Sequence, residues 1–123
     1  MTESQIVTAC LQWLKAKGIY AWRVNNGGIY RGDGQYSFNG TKGVSDVIGV
    51  LPQKVKVTLD GQTFQHTFGN ILCIEVKKPK NEGGKEPSDD QLIFLDTIQK
   101  KGGCALVVHS VDELEEKLKE YFL

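Results

Sequence analysis

Residues 71–80 read ILCIEVKKPK. An apolar run carries Glu75 near its end, and Lys77 follows two places on. Strand side chains alternate in direction, so Glu75 and Lys77 share a face while Val76 and Lys78 take the other. A carboxylate and an ammonium in that relation form a weak surface pair or the acid and cation of a reactive site. Asp46 heads a second short run, SDVIGV (45–50). If the two runs pair, Asp46, Glu75 and Lys77 converge at one edge of a sheet. Crowded carboxylates repel unless a cation sits among them. Hard oxygen ligands without Cys or His favour Mg²⁺ or Mn²⁺ over zinc. A lysine beside them can polarise water or stabilise charge developing on a phosphate. Together these residues are a minimal kit for metal-assisted phosphodiester hydrolysis.

A helix N-terminus can bring in a third carboxylate. Thr2-Glu3-Ser4-Gln5 reads as a capping box, and a helix follows as far as the stop signal Lys17-Gly18. Helical spacing places Glu3, Val7, Cys10 and Leu14 on one stripe, flanked by Ile6, Leu11 and Trp13. Glu3 therefore stands at the N-terminal end of the inward face. Favourable charge placement in the first turn is the competing explanation. Ser88-x-x-Gln91 is a second capping box, opening a helix to about Lys101. Gln91 shares a stripe with Leu95 and Ile98, so it points inward unless its side chain closes the box. Ser110-x-x-Glu113 is a third box, before an amphipathic helix through Leu114 and Leu118.

The remaining elements are strands and turns. Ile19–Val24 reads as a strand, Ser45–Val50 as another stopped by Leu51-Pro52, and Cys104–His109 as an apolar, β-branched one. Residues 54–68 alternate on either side of Asp60-Gly61, a hairpin signal. Gly69-Asn70 is expected to turn the chain into the 71–78 strand, and 79–87 reads as a flexible linker. Residues 26–43 are long and glycine-rich, with Tyr30, Tyr36 and Phe38 among Arg31 and Lys42. Such a loop suits nucleic acid, with charge for phosphate and rings for bases; a surface loop without a ligand is the alternative. The resulting order predicts a single α/β domain over 1–123, a mixed sheet layered with helices.

Composition narrows the classes. The 123 residues are 40% hydrophobic and 24% charged, ordinary for a globular chain. MTESQ has neither a basic nor an apolar leader region, and no stretch reaches the roughly 20 apolar residues of a membrane span, so a cytoplasmic protein is expected. Cys10, Cys73 and Cys104 lie in apolar segments without metal-site spacing, as buried free thiols would; His66 and His109 stand alone, as structural histidines would. Net charge is zero, yet residues 1–85 hold 11 Lys/Arg against 6 Asp/Glu and residues 86–123 hold 4 against 9. That polarity suits one basic working face and one solvated acidic face.

G-V-S-D-V-I (43–48), I-E-V-K-K-P (74–79) and S-x-x-Q (88–91), taken in order, resemble the PD-(D/E)XK nuclease superfamily, and its small VRR-NUC branch most closely. The resemblance spans essentially the whole chain. It implies the restriction-endonuclease-like αβββαβ core, here with a β-hairpin insertion and a C-terminal helix. It implies Asp46, Glu75 and the Val76 carbonyl as ligands of Mg²⁺, with Mn²⁺ substituting, and Lys77 as the catalytic lysine. Glu3 matches the branch's helix-borne acid, a further metal ligand, and Gln91 its helix-borne glutamine. Ser45 departs from the usual proline before the aspartate. The implied activity is a metal-dependent DNA endonuclease leaving 5′-phosphates, structure-specific on branched or four-way-junction DNA. A restriction- or repair-type nuclease on the same scaffold, or a catalytically idle DNA-binding module, are the alternatives. Arg31, Lys42, Lys78 and Lys80 are the basic residues expected to meet DNA, and a homodimer is expected through the 54–68 hairpin.

Overall fold

The N-terminus of the first helix follows from local chemistry. Thr2 accepts the Gln5 N–H, and the Gln5 side chain returns the bond to the Thr2 N–H. The helix α1 spans Glu3–Ala16 and buries Ile6, Val7, Cys10 and Leu14. The computed structural model describes residues 1–24, 29–30, 36–37 and 41–122, with the backbone alone at 29–30, 36–37 and 122. After α1 come β1 (Tyr20–Arg23), the short strands β2 (Ile29–Tyr30) and β3 (Tyr36–Ser37), then β4 (Val47–Leu59) and β5 (Gln62–Val76). Helix α2 (Asp89–Lys100), β6 (Cys104–Val108) and α3 (Val111–Leu118) complete the chain, with 3₁₀ turns at Lys80–Glu82 and Lys119–Phe122.

The fold is α/β: a four-stranded mixed sheet in the order β1-β4-β5-β6, with three helices. β4 runs antiparallel to both β1 and β5, and β6 runs parallel to β5. A parallel neighbour requires a crossover, which α2 supplies. Among the described residues, β2 and β3 pair with each other and with no other strand. Alternation assigns the two faces of the sheet. Val47, Leu51, Leu72, Ile74, Val76, Cys104 and Val108 point to one face and form the core with α1 and with Leu114 and Leu118 of α3. Cys73 and Glu75 point to the other, where α2 lies. All three cysteines are free and buried. No helix is long and apolar enough to cross a membrane among the described residues.

The expected stop at Leu51-Pro52 and the expected turn at Gly69-Asn70 do not occur. β4 and β5 continue through both sites as one ladder, with Pro52 opposite Gly69 and Asn70 opposite Leu51. The only reversal is Asp60-Gly61, where both residues have positive φ (52° and 78°), as a two-residue type I′ turn requires. The reason proline is tolerated follows by counting from that turn. Leu59 and Gln62 form the hydrogen-bonded closing pair, so hydrogen-bonded pairs fall on every second rung. Pro52 and Gly69 then fall on a non-hydrogen-bonded rung, and the missing N–H of Pro52 faces the side where β1 has already ended. The hairpin is thus no separate insertion but the outward extension of the two central strands.

Two other expectations change. Residues 79–87 are folded rather than a loose linker: Gly84 N–H donates to the Pro79 carbonyl and Lys80 pairs with Glu86. The third capping box is half closed. Ser110 accepts the Glu113 N–H, but the Glu113 carboxylate reaches the His109 N–H and ring instead of returning to Ser110.

The extension differs from the core in burial. Leu51 is fully buried, whereas Leu59, Phe64 and Phe68 are largely exposed. Leu51→Ala is expected to cost about 2–5 kcal/mol of stability, and Leu59→Ala to stay within about 0.5 kcal/mol. Urea unfolding of the two variants checks this; equal losses would make the extension part of the core.

Candidate functional site

The β4–β5 register brings the predicted residues together. Val47 pairs with Ile74, and continuing by one residue sets Asp46 opposite Glu75 at the end of the sheet. Asp46 is fixed there by its own chain and by the neighbouring strand. Its Oδ2 accepts the Val76 N–H at 2.8 Å, and its carbonyl accepts the Val24 N–H at 2.8 Å. Just before it, Ser45 is buried and its hydroxyl donates to the Val47 carbonyl at 3.0 Å. That internal bond lets a serine occupy a position sealed from water.

Glu75 is 1% exposed. Its Oε1 accepts a hydrogen bond from Gln91 Nε2 at 2.9 Å and lies 3.7 Å from Lys77 Nζ. Its Oε2 is buried with no hydrogen-bond partner among the described residues. Burial first, and then the adjacent Asp46 carboxylate, push the Glu75 carboxyl up to about 8, against the opposing pull of Lys77. A half-satisfied buried carboxylate facing a second carboxylate is an arrangement that a small hard cation would complete. The donor set fits that ion: oxygen atoms only, with no thiol or imidazole among the site residues.

Gln91 resolves a choice that its spacing left open. It caps α2 and serves the site together. Its Oε1 accepts the Ser88 N–H at 2.8 Å while Nε2 points to Glu75. A primary amide has an acceptor and two donors on separate atoms, so one side chain can fill both roles. The segment leading to Asp46 rests on the same helix end. Gly43 has φ of 73°, and a Cβ there would fall 2.2 Å from the Asp90 carbonyl oxygen. Only glycine lets the chain approach α2 so closely. The G-V-S-D stretch carried this signal, but its partner, the first turn of α2, lies more than 40 positions on and cannot be inferred from spacing.

The other predicted residues lie as follows. Glu3 Oε2 accepts the Lys78 N–H at 3.1 Å, tying α1 to the end of β5. Among the described residues no group of three acidic, thiol or imidazole side chains assembles in metal-binding geometry; the carboxylates that meet are Asp46 and Glu75. Val76 lies between the site residues, its N–H held by Asp46, while the Lys77 N–H donates to the Val108 carbonyl. Lys77 is 15% exposed at its side chain, Lys78 is half-buried, and Lys42 is exposed in the turn before Gly43. Lys80 is exposed and paired with Glu86, which offsets its charge. Arg31 and Phe38 lie outside the described residues, and only the backbones of Tyr30 and Tyr36 are described.

Comparisons with protein-family models, with curated proteins and with solved structures yield no match to this chain.

The raised carboxyl has a consequence for stability. Folded Glu75 holds its proton more tightly than unfolded Glu75, so its contribution is complete below about 4.5 and is lost as pH rises through about 8. In EDTA, Glu75→Gln should match the wild-type Tm near pH 5 and exceed it near pH 8.5. Calorimetric melts at the two pH values check this; a wild type that stays ahead at the higher pH would show that Glu75 is not held protonated.

Proposed function

We propose that this protein is a metal-dependent endonuclease of the PD-(D/E)XK type, hydrolysing phosphodiester bonds in DNA. The observation that carries the reading is the buried, unpartnered Glu75 Oε2 beside Asp46, with Lys77 at 3.7 Å from the same carboxylate. The order of the major elements supports it, since α1, β1, β4, β5, α2 and β6 follow the αβββαβ sequence that the motifs imply. Asp46 and Glu75 fall on the second and third of those strands or at their ends, and Gln91 on the helix that follows.

Asp46, Glu75 and the Val76 carbonyl would hold Mg²⁺. When bound, such an ion neutralises phosphate charge and makes a water more acidic. The chain's own residues prepare that chemistry. Gln91 fixes the rotamer of Glu75, and the Val76 N–H fixes that of Asp46, so neither carboxylate must reorganise when substrate arrives. Lys77 sets its ammonium beside the carboxylates, where negative charge grows on a phosphate under attack. Its partial burial strengthens that interaction over one in water. Glu3 holds the β5 end through Lys78 and so positions Val76 and Lys77.

Asp46→Asn, or EDTA added to the wild type, should abolish cleavage of a plasmid and of a four-way junction with the fold intact by circular dichroism. Lys77→Ala should lower the single-turnover rate by about 10²–10³ with DNA affinity little changed. Undiminished cleavage in EDTA would end this reading; equal losses of rate and affinity in Lys77→Ala would make the lysine a phosphate anchor.

The reading extends to a homodimer acting on branched DNA. Val55, Leu59, Phe64 and Phe68 are exposed on one face of the hairpin extension, and an amphipathic two-stranded arm gains from cover. A second copy would bring a second site, so that both strands of a branch can be cut. Sedimentation at micromolar concentration should give twice the chain mass, reduced to one by Phe64→Asp; a monomeric wild type would remove the dimer and leave the site unaffected.

A further inference from the structure

Beside the carboxylates, the sheet carries two large rings that the core does not use. Trp22 is 44% exposed and Tyr20 75% exposed, and their centroids are 5.5 Å apart with planes tilted by 50°. The register fixes which way they face. Trp22 pairs with Ile48 and Tyr20 with Val50. Both therefore lie on the sheet face of Asp46, Glu75 and Cys73, whereas Ala21 faces the core and Arg23 donates to Ser4 of α1. With Val24 bonded to the Asp46 carbonyl, Trp22 is two residues along and one strand across from Asp46. A rise of about 3.4 Å and a strand spacing of about 4.8 Å put the two Cα atoms roughly 8 Å apart, and Tyr20 roughly 14 Å away.

We propose that Tyr20 and Trp22 are a stacking platform for unpaired bases next to the scissile phosphate. The choice of nucleic acid as partner rests on the hydrolytic reading of the adjacent site; the choice of unpaired bases rests on the rings. A paired base presents only its edge to a protein surface, whereas an unpaired base can lay its face on an aromatic side chain. The ring centroids stand 5.5 Å apart with their planes tilted by 50°, wider than the ~3.4 Å rise of bases in duplex DNA and not parallel as stacked bases are. Their spacing suits an extended strand whose bases have left the stack. The cations complete the match: Lys77 at the carboxylates and Lys42 in the adjoining turn offer positive charge to the backbone that connects those bases. The substrate class this defines is nucleic acid with unpaired nucleotides at the cleavage point, such as a flap, gap or open branch, in preference to uninterrupted duplex.

The test uses binding alone, in EDTA and in an Asp46→Asn background, so that cleavage plays no part. Anisotropy of a fluorescein-labelled oligothymidylate is compared with that of a blunt duplex of the same length. Tyr20→Ala and Trp22→Ala should each weaken the single strand by at least about fivefold and leave the duplex within about twofold; Trp22→Phe should retain most of the affinity. Trp13→Phe leaves Trp22 as the sole tryptophan, and its emission should be quenched by the oligothymidylate. Equal loss on both probes, no loss, unquenched emission, or a change in sedimenting mass instead of affinity would overturn the proposal. If these binding results hold while the wild-type chain with Mg²⁺ cleaves no nucleic acid, the hydrolytic reading falls and the platform stands.

Discussion

The structure is arranged around one electrostatic constraint: a carboxylate held out of water with one of its oxygens unmatched. Glu75 sits at the end of a strand whose other buried members are Leu72, Cys73, Ile74 and Val76. Burying an ionised group without compensation is costly, and a second carboxylate beside it raises the cost. The surroundings answer in part. Gln91 gives one hydrogen bond and Lys77 a nearby positive charge, and Asp46 is drawn toward the Val76 N–H. What remains is a buried oxygen without a partner, on a carboxyl that keeps its proton until the pH nears 8. A protein that needed only a stable core would place an apolar residue at Glu75. The retention of an ionisable group at that position is the physical case for a site.

The rest of the fold can be understood as what holds that carboxyl in place. α1 and α3 fill one side of the sheet, which lets Leu72, Ile74 and Val76 be buried and leaves Glu75 facing the other side. α2 covers the β5–β6 part of that side and delivers Gln91 at its N-terminus. The helix cap and the site share one amide group. Fraying of the first turn of α2 would therefore loosen Glu75 directly, and anything that strengthens the cap would stiffen the site. Gly43 adds to this coupling by seating the approach to Asp46 on the same turn.

Much of this was legible in the sequence where the signal is local. The capping boxes at Thr2 and Ser88 and the turn at Asp60-Gly61 are short-range patterns, and each forms as its residues specify. The buried stripe of α1 follows its helical spacing. The failures share a cause. Leu51-Pro52 and Gly69-Asn70 read as breaks because proline and glycine usually punctuate strands. Here the ladder phase, set at a distant turn, makes both harmless. The linker at 79–87 is ordered by a backbone bond and an ion pair, neither of which composition reveals. At the site, Asp46, Glu75 and Lys77 were readable from residue type and alternation. The double use of Gln91 was not, since nothing in a capping pattern says where the amide's other end points. The exposure of Tyr20 and Trp22 was hidden for a similar reason: an aromatic in a strand can face either layer until the register is known.

The type I′ turn bears on how this chain can vary. Thirteen rungs separate Asp60-Gly61 from the end of the β4–β5 ladder, and Asp46 meets Glu75 one step further on. The tip therefore sets the phase of the whole ladder. A single residue gained or lost in one strand of the arm, with the turn kept, would leave Asp46 beside a residue pointing the wrong way unless a bulge absorbed it. Descendants of this chain can lengthen or shorten the arm freely only by matched additions, an equal number in each strand. Length variation in an exposed hairpin, usually the most permissive part of a protein, is here subject to a counting rule imposed by two carboxylates at the opposite end of the sheet.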